Sequence, residues 1–165
     1  MNKTLFSYFL IFLIFSFGLW LFNKNQHLEK QIEVLKEQKI PVNLVQEMGQ
    51  LQKFVNKLYF SSKSKNKALT EFYIHELEEV MENIQKGDIV KNRQKISTLI
   101  ESFGLKSLET YEKNIFKDDF ENLDVHYQAL TLQCNNCHAV SGYGFIQIQK
   151  PTQVFMDNQI FYPEE

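Results

Sequence analysis

The residues best suited to do chemistry form one pentapeptide, Cys134-Asn135-Asn136-Cys137-His138, which contains both cysteines of the 165-residue chain. Two thiols at this spacing lie on successive turns of a helix, with the imidazole of the next residue beside them. The two thiols can then add to the two vinyl groups of a haem, while the histidine binds the iron. The motif therefore predicts one covalently bound haem c, with Cys134 and Cys137 as its attachment points and His138 as its axial ligand.

Other uses of a C-x-x-C pair fit this sequence less well. A thioredoxin-like redox centre requires a βαβ context and a helix N-terminus, and neither is predicted around Cys134. A zinc site would need further ligands, and His27, His75 and His126 have no spacing that would bring them together. A disulfide between the two cysteines would close a very short loop, which constrains the chain little. We therefore favour haem attachment.

The pentapeptide ends an apolar stripe that runs along the last predicted helix. Apolar residues recur at intervals of three and four from Phe120 to Cys137, which indicates one buried helix face. Asp118 followed by Glu121 resembles a capping box at the start of this helix. From about residue 141, glycines, a proline and alternating apolar residues predict an extended or irregular tail. We expect this tail to lie across the exposed edge of the haem.

Three further amphipathic helices are predicted before the last one. The first begins near Pro41 and ends before the polar stretch Ser61–Asn66, which is predicted to be a loop; the second ends at Gly87, and Asp88 caps the third. Leu105–Phe116 is either a continuation of the third helix or a separate helical connector. The predicted buried stripes are Leu44, Met48, Leu51, Val55 and Leu58; Leu69, Phe72, Tyr73, Leu77, Val80, Met81 and Ile84; and Ile89, Ile96, Leu99, Ile100 and Phe103. Four such helices with short connections predict an all-α fold, an antiparallel four-helix bundle over residues 41–165.

An uncharged segment of eighteen residues, Leu5–Phe22, precedes the polar remainder of the chain. A helix of that length is about 27 Å long, just enough to cross the hydrocarbon core of a bilayer. No A-x-A-like cleavage site follows the segment, and a buried helix of a soluble protein would need apolar partners on all sides. We therefore expect residues 1–23 to be an uncleaved signal anchor, a single transmembrane helix with its amino terminus inside. Residues 24–40 are expected to form a charged spacer helix.

Charge patterning restricts the classes of partner. The formal net charge is −2 and Arg93 is the only arginine, whereas nucleic-acid binders carry a basic face. We therefore expect no nucleic-acid partner. Glu71, Glu78, Glu79 and Glu82 form an acidic helix face that either docks a basic redox partner protein or is simply solvated. The sequence does not indicate an oligomeric state.

A helical bundle with C-x-x-C-H on its last helix resembles the class II cytochromes c, that is, the cytochrome c-prime type and its low-spin relatives. The resemblance covers about residues 41–140. In the low-spin members the sixth iron ligand is a methionine of the first bundle helix. Met48 occupies the corresponding place, and its alternative role is that of an ordinary core methionine. Met156 in the tail is a second candidate for the sixth ligand.

The segments Met48–Tyr59 and Asn158–Phe161 are also similar to parts of small bacterial monohaem proteins. With the predicted anchor, this likeness implies a bacterial inner-membrane protein whose haem domain lies on the periplasmic side. A methionine thioether at the sixth position would make it a low-spin electron carrier, whereas an unoccupied apolar position would favour binding of NO or CO. We expect the electron carrier, with a five-coordinate gas-binding protein of the cytochrome c-prime type as the alternative. A peroxidase would need a distal His or Arg, which nothing in the sequence places there, so we do not expect an enzyme.

Overall fold

The N-terminal unit, residues 1–40, contains one long helix, α1, which runs from Lys3 to Glu37. The computed structural model describes residues 3–37, 42–154 and 158–163, and it describes the side chains of α1 from Phe12 to Ile32. The large apolar side chains between Phe12 and Phe22 are exposed. Within the part of the chain whose side chains are described, no helix is both long enough and apolar enough to cross a membrane. Residues 5–11 of the predicted anchor lie outside that part.

The second unit, residues 41–165, is a helical bundle. Its helices are α2 (Leu44–Lys63), α3 (Lys67–Lys86), α4 (Ile96–Leu99), α5 (Lys106–Lys117) and α6 (Leu123–Val140), and a π-helical segment (Ile100–Leu105) joins α4 to α5. Helix α2 packs against α3 and α6, and the segment from α4 to α5 packs against α3 and α6. The all-α prediction is therefore confirmed. Leu105–Phe116 continues the third predicted helix and is not a separate connector.

Asparagine side chains cap the first two helices of the bundle. The side chain of Asn43 accepts a hydrogen bond from the backbone N–H of Gln46 at 3.3 Å, and that of Asn66 accepts one from Leu69 at 3.1 Å. Each bond satisfies a backbone donor that the first turn of a helix leaves without a partner. Helix α2 thus begins at Leu44, and Pro41, where its start was predicted, lies outside the described residues.

The prediction of a loop at Ser61–Asn66 is wrong for its first half, because α2 continues to Lys63. The side chains of Ser61 and Ser62 are fully buried. The Ser61 hydroxyl donates to the carbonyl of Leu58 at 3.0 Å, and Ser62 Oγ lies 2.8 Å from the hydroxyl of Tyr111. These bonds satisfy two polar groups inside the core, so a polar stretch of sequence forms the buried end of a helix.

A short hairpin stands where the third helix was predicted to be capped. Its strands β1 (Val90–Lys91) and β2 (Gln94–Lys95) pair antiparallel, and the turn residues Asn92 and Arg93 have φ of 48° and 65°. Positive φ at both central residues is typical of a two-residue hairpin turn. Asp88 also has a positive φ, 48°, and precedes β1. The predicted Asp88 cap is therefore wrong, and α4 begins only at Ile96.

The capping box predicted at Asp118 and Glu121 is also wrong. Asp118 follows the last residue of α5, Lys117, and α6 begins at Leu123 without a side-chain cap. Asp118 Oδ2 accepts hydrogen bonds from the backbone N–H of Asn122 at 3.3 Å and from Nε2 of His126 at 2.7 Å. The carboxylate thus binds the first turns of α6 from outside the helix.

The buried faces of the bundle helices meet in one apolar core that contains most of the predicted stripe residues. Met81 is 4% exposed, so it is a core residue as predicted. Phe72 is an exception, because it is 49% exposed. Leu44, Met48 and Leu51 are only partly buried, at one end of the α2 stripe.

The tail follows α6 without helix or strand in its described residues 141–154 and 158–163, as the sequence predicts. Its Phe161 nevertheless belongs to the core, where its ring lies 6.0 Å from that of Phe60 between centroids. The amide of Asn66 donates to the carbonyl of Phe161 at 3.1 Å. An irregular segment therefore packs on the end of α2 and the start of α3.

Replacing Tyr111 by Phe is expected to lower the free energy of unfolding by about 1–2 kcal/mol, because the buried hydroxyl of Ser62 loses a hydrogen-bond partner. Urea denaturation followed by circular dichroism measures the change. Tyr162, which is 76% exposed, provides the matched control, and Tyr162→Phe should change the stability by less than about 0.5 kcal/mol. Equal stabilities for the two variants would contradict a structural role for the Tyr111 hydroxyl.

Candidate functional site

The last two turns of α6 carry the C-x-x-C-H motif. The predicted stripe is confirmed, because its residues from Phe120 to Leu130 and Cys137 are buried, and Cys134 is partly buried. Both cysteines are free thiols. The helix ends at Val140, so the motif lies at its C-terminal end.

The protonation of the two thiols bears on what they can do. Burial, and to a smaller extent the neighbouring Cys137, raises the pKa of the Cys134 thiol to about 11. Burial also raises the pKa of the Cys137 thiol. Thioredoxin-type cysteines instead have lowered pKa values at helix N-termini, whereas the C-terminal end of a helix disfavours an anion. The location and the direction of both shifts therefore argue against a thiol–disulfide exchange centre.

A cavity of about 620 Å³ lies beside Cys137 and His138. Its volume falls within the range of about 300–1,000 Å³ that is usual for small-molecule sites. Four parts of the bundle form its wall: the first turns of α2, the region of the hairpin, the end of α6 and the tail. Its apolar lining includes Leu44, Met48, Ile89, Ile96, Ile146 and Ile148.

The tail orients the ring of His138. Nδ1 lies 3.0 Å from the backbone carbonyl oxygen of Ile146. Because a carbonyl only accepts hydrogen bonds, Nδ1 carries the proton and donates it, which leaves Nε2 of the neutral ring with its lone pair. Histidines that bind metals commonly have this arrangement, with one nitrogen on the metal and the other donating to a carbonyl or carboxylate.

A second residue of the motif also binds the tail. The side-chain oxygen of Asn135 accepts a hydrogen bond from the backbone N–H of Ile148 at 2.7 Å, and its amide nitrogen donates to the Ile148 carbonyl at 2.9 Å. Asn136, the next residue, donates instead to the side chain of Gln133 on the same helix, at 3.4 Å. The two asparagines of the motif therefore bind different parts of the protein.

The chain reverses direction at Ser141 and Gly142, which brings the tail back over the motif. Gly142 has a φ of 85°, and a Cβ atom there would lie 2.7 Å from the amide nitrogen of Asn92. Glycine alone has both the conformation and the space for this turn. The same amide nitrogen of Asn92 donates to the carbonyl of Ser141 at 2.8 Å. The hairpin turn therefore holds the reversal in place.

The structure brings together some of the predicted site residues and not others. Met48, partly buried on α2, lines the same cavity as Cys137 and His138. Cys134, one turn earlier on α6, is not among the described residues that line it. Met156 lies outside the described residues.

The remaining histidines of the bundle have carboxylate partners. His75 is exposed and lies 3.4 Å from Glu79. The side chain of His126 is only 17% exposed and lies 2.7 Å from Asp118. In the described part of the chain, no group of three or more His, Cys, Asp or Glu side chains is placed to hold a metal ion.

Sequence reasoning missed the residues that support the motif. Asn92 lies in a four-residue polar stretch, Lys91–Gln94, after the β-branched Val90, and this was a usable signal for a hairpin turn. The role of Ile146 cannot be identified from the sequence, because its backbone carbonyl, and not its side chain, accepts the hydrogen bond from His138. Asn135 occupies a variable position of the C-x-x-C-H pattern, so the motif carries no signal for its contact with the tail.

The residues at this cavity suit a covalently attached haem. A free thiol on Cys137 and a histidine whose Nε2 keeps its lone pair border a largely apolar space. The second thiol lies one helical turn earlier on the same helix. Binding of the haem iron through Nε2 would leave the hydrogen bond at Nδ1 intact.

No family model matches the chain, and no curated protein or solved structure is significantly similar to it.

The raised pKa of Cys134 predicts slow alkylation in the chain before haem is attached. With a pKa of about 11, the thiolate fraction at pH 8 is roughly a hundredfold lower than that of an ordinary cysteine. Iodoacetamide labelling of Cys134, located by mass spectrometry, should therefore be slow at pH 8 and rise about tenfold per pH unit up to pH 10. The same chain in urea is the control, and equal rates in the two conditions would contradict the burial of this thiol.

Proposed function

We propose that this chain is a membrane-anchored, exported monohaem c-type cytochrome that carries electrons. The observation that supports this best is that Cys137, His138 and Met48 line one cavity. In the proposal, Cys134 and Cys137 hold the haem through thioether bonds, and Nε2 of His138 binds the iron. When bound, the haem supplies the one-electron exchange between ferric and ferrous iron.

The chain's own residues would orient the iron ligand and set its surroundings. The hydrogen bond from Nδ1 of His138 to Ile146 fixes the tautomer and the orientation of the ring. The apolar side chains of Leu44, Ile96 and Ile148 share the cavity wall with polar side chains such as Lys91, and the polarity around a haem is one of the factors that set its reduction potential. A thioether from Met48 at the sixth position would raise that potential.

The proposed relationship to the class II cytochromes c rests on the motif and on its place in the last helix of a helical bundle. The tail, which that family does not explain, has Tyr143, Ile146 and Ile148 on the cavity wall. In the proposal these residues lie across the edge of the haem. The tail would then separate the haem from water on one side.

The proposed membrane anchor rests on the uncharged run Leu5–Phe22. It would hold the haem domain on the periplasmic side of a bacterial inner membrane, where the haem can exchange electrons with a redox partner. Glu71, Glu78 and Glu79 of α3 are exposed. They would speed the encounter with a partner that carries a basic surface.

A gas-binding haem protein is the second candidate function. The apolar lining of the cavity supports it, because an apolar position next to the iron favours NO or CO when no side chain binds there. The two functions differ in the role of Met48. In the electron carrier it binds the iron, and in the gas-binding protein it only lines the cavity.

Haem staining tests the proposal that both functions share. The full chain, expressed in a host that exports it and attaches haem, should give a stained band in the membrane fraction after denaturing electrophoresis, because thioether bonds survive denaturation. The double variant Cys134→Ala, Cys137→Ala should give no stained band. An unstained wild-type band at normal protein level would contradict haem attachment, and staining confined to the soluble fraction would contradict the anchor.

Matched methionine variants separate the two functions. Met48→Leu preserves volume but removes the thioether, so it should abolish the methionine–iron charge-transfer band and lower the reduction potential by roughly a hundred millivolts or more. Met81→Leu makes the same change in the core and should leave both unchanged. Spectra of the oxidised and reduced protein, with potentiometric titration, measure the effects. A five-coordinate, high-spin wild type that binds CO directly would instead establish the gas-binding function.

A further inference from the structure

We propose that Asn135 is a positioning residue for His138, acting through the backbone of the tail. By binding Ile148 it would hold the carbonyl of Ile146 against Nδ1 of His138, and so fix the orientation of the ring and the tautomer of the neutral imidazole. This proposal rests on the proposed function only for the role of Nε2 as an iron ligand. The hydrogen bonds themselves join residues of this chain and do not depend on haem.

The spacing of two helix residues and two tail residues allows one face of α6 to bind the tail at two points. Asn135 and His138 are three residues apart on α6, so their side chains lie on the same face. Ile146 and Ile148 are two residues apart in a segment that is neither helix nor strand. Asn135, the earlier residue of the helix, binds Ile148, and His138 binds Ile146, the earlier residue of the tail. The tail therefore runs back along α6 and is held at two successive points.

An asparagine is chemically suited to this position. Its amide presents one acceptor and a donor group side by side, so it can pair with both the N–H and the C=O of one backbone residue. The two distances to Ile148, 2.7 and 2.9 Å, are those of well-formed hydrogen bonds. Aspartate at the same place could accept from the N–H but would have no hydrogen for the carbonyl. Alanine could do neither.

The hydrogen bonds between Asn135 and Ile148 affect His138 because Ile148 lies just beyond the Ile146 carbonyl. Between His138 and Ile146 the chain is a tight turn, in which the N–H of Tyr143 donates to the His138 carbonyl at 2.7 Å and the N–H of Ile146 donates to the Tyr143 carbonyl at 2.8 Å. Beyond Ile148, Lys150 contacts Asp124 through an exposed ion pair, which contributes little rigidity. The partly buried bonds to Asn135 therefore fix the segment on the far side of the Ile146 carbonyl.

Asn136 offers a matched control, because it belongs to the same motif and binds Gln133 rather than the tail. The full-length protein, as isolated and kept reduced, would be compared as wild type, Asn135→Ala, Asn135→Asp and Asn136→Ala. Two NMR readouts apply: hydrogen exchange of the Ile148 amide, and the ring nitrogen signals of His138 with its Nδ1 proton. The first reports whether the Ile148 N–H is hydrogen-bonded, and the second reports the tautomer of His138.

Asn135→Ala should speed exchange of the Ile148 amide about tenfold or more and move the ring nitrogen signals of His138 towards those of an imidazole that interconverts between its two tautomers, because the carbonyl that accepts the Nδ1 proton is no longer fixed. Asn136→Ala should leave both as in the wild type. Asn135→Asp should give an intermediate exchange rate, because the bond from the Ile148 N–H is kept. Wild-type behaviour of Asn135→Ala in either readout, or the same changes in Asn136→Ala, would overturn the proposal. Because neither readout needs a bound haem, a chain without haem would contradict the proposed function while the exchange data still tested this inference.

Discussion

The reversal of the chain at Ser141 and Gly142 is the constraint on which the cavity depends. A helix that ended at Val140 and ran on into solvent would leave the motif at an open end of the bundle. The left-handed φ of Gly142 turns the chain back, and the contact with Asn92 leaves no space for a side chain at the turn. The returning tail then provides the wall formed by Ile146 and Ile148. One backbone conformation thus turns an exposed helix end into the side of an apolar cavity.

The tail is held at its far end as well as at the cavity. Gln159 accepts hydrogen bonds from the side chains of Lys57, at 2.8 Å, and Tyr73. Phe161 is only 8% exposed, and burying a phenylalanine stabilises a fold by about 1.5–3 kcal/mol. The segment that shapes the cavity is therefore attached to the core by its own apolar anchor.

Local patterns predicted the fold where local forces decide it. The apolar period and Gly87 were sufficient to place α3, and the stripe of α6 was correct as far as Cys137. The errors occur where a side-chain contact overrides the local pattern. Ser62 can be helical and buried because its hydroxyl forms a hydrogen bond with the hydroxyl of Tyr111, far along the chain. Asp118 binds His126 rather than opening a helix. Tyr111 lies 49 residues from Ser62, beyond any window of neighbouring residues, whereas His126 lies 8 residues from Asp118 and its contact competes with the capping-box pattern.

The site shows the same division. Spacing alone identified Cys134, Cys137 and His138, but the group that orients the histidine is a backbone carbonyl, which has no signature in a sequence. Met48 is an intermediate case, because its place in the apolar stripe of α2 is consistent both with an iron ligand and with a core residue. The two ends of that stripe have different surroundings: Val55 and Leu58 are buried in the core, whereas Leu44 and Met48 line the cavity. Met48 packs against the core and also borders the cavity that His138 lines, so its place at the boundary between the two meets the requirement of either role.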